Sequence, residues 1–484
     1  MVYKSIRVGI GAFPEYAKQT GMVWLYLAIT RQDFSLRIRS RRWLSLGMGV
    51  KRYVLIIFLG TSLVALAGAM FLAYVYRTFD VPDSAGWIVY VLTLQWISHP
   101  WREIGIGLFG LAVMIGGGLL LFRSLLSVVI RPGEDLAEIV YRGRKLQRGP
   151  RIVSIGGGTG QGILLRGLKE QSANLTAIVT VADDGGSSGR LRKDFQLVAP
   201  GDLRNCLTSL ADSESLMTRL VDYRFSGGEG LEGHSLGNLL LAAMRDIEGS
   251  MDKGIESLSE VLRIHGKIAP STMEDVHLAA ELEDGTTVIG ESRIGGRGSI
   301  KRVFLQPRNV IANDEAVSAL LAADIIVIGP GSVYTSILPN LLVGELSRAI
   351  RASQAVKIYV CNVATEPGET DRFSTEDHVR VLHNHVAPGL FQFVLANSYT
   401  GAEMPNHRRA ATFVQASAKD QATLGSQGLE VITTDVLNHA EPEHHDPTRL
   451  ANAIMEIHAS ASGSSQILAF SRLDQTRNQS GIDR

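Results

Sequence analysis

Cysteine is nearly missing from this chain: Cys206 and Cys361 are the only two, and neither stands at metal-ligand spacing from a partner. That excludes a disulfide-stapled fold and a zinc finger, and it suits a reduced compartment in which two small thiols are buried. Net charge is missing as well, since 48 basic residues balance 48 acidic ones. Without a surplus of positive charge, nucleic acid is not an expected partner. A secretory signal is also lacking, because the first long apolar run begins only at residue 53 and no small-residue cleavage pattern follows it. What remains is a chain of 484 residues, 45% hydrophobic and 20% charged, able to bury a sizeable core over more than one domain.

Charge is absent locally in two places. Residues 53–76, YVLIIFLGTSLVALAGAMFLAYVY, carry none, and neither do residues 104–122, IGIGLFGLAVMIGGGLLLF. Each is long enough to cross a bilayer, and the glycines of the second suit close helix packing. Arg37, Arg39, Arg41, Arg42, Lys51 and Arg52 precede the first run; Arg123, Arg131, Arg142, Arg144, Lys145 and Arg148 follow the second. By the positive-inside rule both termini face the cytoplasm of a multi-pass protein of the cytoplasmic membrane. The connector between the runs holds Trp87, Trp96 and Trp101, residues favoured at the outer interface. The expected organisation is therefore a cytoplasmic segment over 1–50, two transmembrane helices over 51–123, a linker over 124–149, a soluble body over 150–458 and a disordered tail over 459–484.

The body alternates β-branched runs with helical patterns, as in RIVSI, GILLRGLKEQ and LTAIVTVA, which predicts an α/β fold with parallel strands and right-handed crossovers. A hairpin is expected where Asp284 and Gly285 separate two alternating stretches. Ligands of such sheets collect beyond the carboxyl ends of the strands, where the glycine-rich stretches fall. The first, SIGGGTGQG over 154–162, places Gly157, Gly158, Thr159 and Gly160 between a strand and a helix whose positive end suits phosphate. Its spacing meets neither the dinucleotide fingerprint nor the P-loop, so NAD is not expected, and no flavin is either.

Further along, VADDGGSSGRLR supplies Asp183 and Asp184, then a donor-rich loop with Ser187, Ser188 and Gly189, then Arg190 and Arg192 as cations for phosphate. PGDLRNC adds Asp202, as a helix cap or a base, with Arg204 and Asn205 just inside the helix. GHSLGN puts His234, Ser235 and Asn238 at another helix start. GPGSVYTS repeats the strand-glycine-helix device with Gly331, Ser332, Tyr334 and Thr335, and CNVATEPGET ends a further strand with Asn362, Thr365, Glu369 and Thr370. His383, His385, His444 and His445 lack a zinc-like partner set and are expected on the surface.

Taken together, SIGGGTGQGILLRGLK, IVTVADDGGSSGRLR, PGDLRNCL, GHSLGNLLLAAM, IGPGSVYTSILPNLLV and VCNVATEPGETD closely resemble the gluconeogenesis factor family, also called YvcK/CofD-like, in collinear order over residues 150–458. The resemblance implies a Rossmann-like sheet, here preceded by a two-helix transmembrane hairpin that makes the chain look like a membrane-anchored variant. It implies binding of a UDP-sugar, notably UDP-N-acetylglucosamine, and support of cell-wall morphogenesis during gluconeogenic growth. The relative 2-phospho-L-lactate transferase uses a divalent metal, so the alternative is an Mg2+-dependent transferase on a nucleotide-diphosphate substrate, with Asp183, Asp184 and Asp202 as its acidic groups and Asp183 and Asp184 as metal ligands. Carried over by motif, Gly157 to Gly160 cradle the diphosphate or ribose, with Asn205, His234, Asn238, Gly331, Ser332, Tyr334 and Thr335 lining the same cleft. Expected partners are the UDP-sugar, membrane lipid, cell-envelope regulatory proteins and further copies of the chain in a homo-oligomer.

Overall fold

The computed structural model describes residues 144–211, 216–295, 300–399 and 412–463, together with scattered positions between 58 and 116. The chain divides into two compact units, Met1–Arg144 and Lys145–Arg484. In the first unit most of both apolar runs, the connector and the linker lie outside the described residues. Where positions in the runs are described they are helical, and Phe58, Leu108 and Ile115 are exposed. Among the described residues no helix is long and apolar enough to cross a membrane.

The second unit is an α/β body. It opens with β1 (Ile152–Gly156), α1 (Gly158–Leu168), β2 (Leu175–Val179), α2 (Gly186–Phe195), α3 (Pro200–Leu210), α4 (Leu216–Asp222), α5 (Leu236–Glu248), α6 (Met251–Leu262) and β3 (Lys267–Pro270). An insert follows, made of β4 (His277–Leu282), β5 (Thr287–Ile289), the short α7 (Glu291–Ile294) and β6 (Ile300–Gln306). Then come α8 (Asp314–Ala322), β7 (Ile325–Ile328), a π-helical turn (Val333–Ile337), α9 (Leu338–Leu341), α10 (Gly344–Ala352) and β8 (Val356–Val360). The unit closes with α11 (Thr375–His385), β9 (Phe393–Asn397), α12 (Ala418–Ser426), β10 (Glu430–Thr434) and α13 (Pro447–Ala461), whose helix continues beyond residue 458.

Seven strands form one sheet in the order β10-β9-β8-β7-β1-β2-β3, and each pairing is parallel. Strands covered on both faces are predominantly apolar; β1 and β7 are buried at every position, and the polar Ser154 of β1 accepts from Gln161 Nε2 at 3.1 Å. The expected hairpin is present, with β4 antiparallel to both β5 and β6 in a separate three-stranded sheet.

The strand order decides where a ligand can enter. From β1 the chain winds outward through β2 to β3, then returns to β7 on the other side of β1 and winds away to β10. The helices after β1 and β7 therefore leave in opposite senses, and a crevice opens between the carboxyl ends of these two strands.

Candidate functional site

A cleft of about 460 Å3 occupies that crevice. Gly157, Gly158, Thr159 and Gly160 line one wall, Pro330, Gly331, Ser332 and Ser336 the next, and Asn362, Thr365 and Glu366 a third. Two glycines shape these walls. Gly158 has φ of +63°, a left-handed conformation that starts α1 immediately after β1. At Gly160 a Cβ would sit 2.7 Å from the carbonyl oxygen of Pro330 and 3.1 Å from Cα of Gly331, so only glycine lets the two turns abut. No side chain caps α1. Its first amide hydrogens thus remain as donors toward the cleft, apart from that of Gly158, which binds Asp202.

Asp202 joins this turn to a nest of carboxyl groups. It does not cap α3, whose N-cap residue is Ala199 with no side-chain bond. A Cβ on Gly157 would lie 2.5 Å from Oδ2 of Asp202, and one on Gly201 would lie 2.8 Å from Oδ2 of Asp183. Glu291, from the insert, hydrogen-bonds Asp183. Burial, and then the charge of Asp183, push the Asp202 carboxyl up to about 7. The same two causes, with Asp202 and Asp184 adding repulsion, push Glu291 well above the usual carboxylate range. Asp184 is otherwise engaged, accepting the Ser292 N–H at 2.9 Å and so fastening the insert to the sheet.

A second polar knot stands beside the nest. Ser187 Oγ lies 2.9 Å from Nδ1 of His234 and 3.1 Å from Nδ2 of Asn238, while Ser235 caps α5 by accepting the Asn238 N–H at 3.2 Å. Burial and the charge of Arg190 lower the His234 imidazole below its ordinary value, so it stays neutral. Oδ1 of Asn238 is buried and has no partner. Ser188 packs on Gly201, and Gly189 passes too close to the Asp184 backbone for any side chain.

Several expected site residues are committed elsewhere. Arg192 is buried and donates to the carbonyls of Ala182, Asp183 and Val276 and to Asp275, so it holds the loop rather than a phosphate. Arg190 is exposed and donates to the Glu232 carbonyl. Arg204 donates to Asn205 and faces Asp222 at 3.5 Å, beside Asp202 and away from the cleft wall. Tyr334 is buried with its ring edge-on to His385, and Thr335 spends its N–H on Ser332, so neither lines the cleft. Ser332 is on the wall, yet its hydroxyl donates to Glu369.

The histidines also correct the expectation of a surface position. His445 is buried, with Nε2 at 3.3 Å from the Cys361 carbonyl, and burial lowers it to about 4. His444 and His445 both line the cleft. His385 is half-buried and its Nε2 accepts the Val303 N–H at 3.0 Å, while His383 stacks on Phe391. Glu291 and Glu366 were not singled out in the sequence. Glu291 comes from the hairpin insert with no motif around it, whereas Glu366 sits inside the CNVATEPGET stretch between Thr365 and Glu369, both of them candidates from sequence.

The family description 2-phospho-L-lactate transferase CofD matches residues 152–437, which takes in β1 through β10 and every glycine turn of the cleft. The chain belongs to the CofD family. Among its relatives, the Bacillus subtilis protein named gluconeogenesis factor is 43% identical over 313 residues, 64% of this chain and 98% of its own. A relative from Nostoc sp. is 41% identical over 428 residues, 87% of this chain and 93% of its own, an alignment long enough to take in part of the region before the CofD body. A solved Bacillus halodurans protein is 42% identical with a TM-score of 0.60, covering 64% of this chain and all of its own.

Proposed function

We propose that the protein binds a UDP-sugar, UDP-N-acetylglucosamine foremost, in the crevice between β1 and β7, and regulates cell-wall synthesis and morphogenesis during gluconeogenic growth. One observation carries the reading: two strand-to-helix turns abut at Gly160 and Gly331, where a Cβ would find backbone only 2.7 Å away. A ligand with a charged diphosphate and an uncharged, hydroxyl-bearing end fits a cleft with amide donors on one wall and polar side chains on the others. Relatives named gluconeogenesis factor support the regulatory role. The two charge-free runs, whose described apolar side chains are helical and exposed, support anchoring in the cytoplasmic membrane with the CofD body inside.

The test is a thermal shift of the purified protein with UDP-N-acetylglucosamine, UDP-glucose, GDP and NAD, each with and without Mg2+. A ligand at a hundred times its dissociation constant adds about 2.7 kcal/mol. Stabilisation by NAD alone, or by none of the four, would end the proposal.

The second reading, an Mg2+-dependent transferase on a nucleotide diphosphate, is favoured by the carboxyl nest beside the first glycine turn. Among the described residues no three metal-ligating side chains already stand as a cage. Mg2+ nonetheless takes one or two carboxylates, keeps several waters and draws the rest of its oxygens from phosphate, and the raised Asp202 and Glu291 show negative charge there without a counter-cation. Asp183 and Asp202 would hold it, since Asp184 is spent on the insert. Bound, the ion would neutralise phosphate charge. The chain's own contribution is to orient the diphosphate on the α1 amides and, through Glu291, to keep a proton beside Asp183. Product formation lost in Asp183→Asn would separate this reading from a sensor.

A further inference from the structure

The two ends of the cleft differ in what they can hold. On one side the α1 turn offers amide hydrogens and a helix N-terminus, which favour anions. On the other, across the intervening turn after β7, stands Glu366 in the turn after β8, and Glu443, His444 and His445 also line the cleft. Among the described residues lining the cleft there is no lysine or arginine. A phosphate placed against Glu366 would meet a carboxyl group with no cation between them.

Glu366 is also fixed in place. Its Oε1 accepts from Nδ2 of Asn362 at 3.2 Å, and Oδ1 of Asn362 accepts the Gly331 N–H at 3.0 Å. Its own N–H donates to Thr370 Oγ1 at 2.8 Å, while the amides of Glu369 and Thr370 donate back to its carbonyl at 3.0 and 2.9 Å. Glu369 accepts from Ser332 and shares a hydrogen bond with Glu366, tying the turn after β8 to the turn after β7. Burial, and then the neighbouring Glu369, push the Glu366 carboxyl up to about 7. The result is a prearranged hydrogen-bond acceptor at the end of the cleft away from the α1 amides.

We infer that Glu366 reads the hydroxyl- or amide-bearing sugar end of the bound nucleotide, with the diphosphate oriented toward the α1 turn, and that Glu369 is its positioning residue. This rests on the nucleotide-sugar reading above and adds the direction in which the ligand lies and the group that selects for its sugar. A fixed acceptor left unpaired by a truncated ligand discriminates strongly, because its desolvation is then uncompensated.

The experiment is isothermal titration of the full chain with two probes, UDP-N-acetylglucosamine and UDP. The wild-type protein is expected to prefer the sugar nucleotide. In Glu366→Ala, which removes the acceptor, affinity for UDP-N-acetylglucosamine should fall roughly 10-fold, the loss expected for one hydrogen bond. Affinity for UDP should stay level or tighten, which also shows that the fold is intact. Glu369→Gln can still hold Ser332 and should keep the preference; Glu369→Ala should lose it. An equal loss of both probes in Glu366→Ala, or no loss of either, would overturn the inference while leaving the nucleotide-sugar reading standing. Failure of the wild-type protein to bind either probe would overturn both.

Discussion

Asp202→Asn is the substitution whose effect the structure fixes most closely. It removes one charge from the nest, while its amide oxygen can still accept the Gly158 N–H that Asp202 holds. The folded carboxyl titrates at about 7 against an ordinary 3.8, so the folded state binds the proton more tightly than the unfolded chain does. The associated stability is complete below the unfolded value and is lost as pH rises through the folded one. Between pH 5 and 8 the carboxyl crosses the two units that separate pH 5 from its folded value, which at about 1.4 kcal/mol each comes to roughly 2–3 kcal/mol. Paired urea unfolding curves should therefore show Asp202→Asn gaining on the wild-type protein by that amount from pH 5 to pH 8, with the slope m unchanged. A difference that stays flat across this range would refute the argument that burial and Asp183 together strain Asp202.

Gly160→Ala should force the two glycine turns apart, costing about 1–3 kcal/mol by overpacking and abolishing the nucleotide thermal shift; a retained shift would show that the contact is not essential. Arg192→Met leaves the Ala182, Asp183 and Val276 carbonyls without their donor and should cost about 3 kcal/mol in urea unfolding. Its folded fraction should bind nucleotide as the wild type does, because the guanidinium holds the loop rather than the ligand. Added Mg2+ at pH 8 should raise the melting temperature of the wild-type protein but not of Asp202→Asn, read by calorimetry. Deleting residues 53–122 should move the protein from the membrane pellet to the supernatant after cell fractionation, and a chain already in the supernatant would defeat the anchoring proposal.

Much of this protein could be read before folding was considered. Both glycine turns declared themselves because backbone that must approach an anion, or another backbone, admits only glycine, and that restriction is written one residue at a time. The parallel sheet was legible for a similar reason: strands covered on both faces, such as IVSIG and IIVI, are predominantly apolar rather than alternating.

Side-chain commitments were not legible. Arg192 and Arg190 look alike in GRLRK, yet one is sealed beneath the loop and the other faces water. Tyr334 and Ser336 sit two residues apart in one motif, and only the rotation of a π-helical turn sends the first into the core and the second to the cleft. Glu291 reaches Asp183 because an antiparallel insert folds back over the sheet, and Glu369 meets Ser332 because β7 and β8 end side by side. The sequence by itself determined where the backbone can turn and what must be buried, since both are local demands on residue type. Which charges meet, and so which carboxyls keep their protons, was decided only by tertiary structure, because electrostatic energy depends on distances between residues that the chain order leaves far apart.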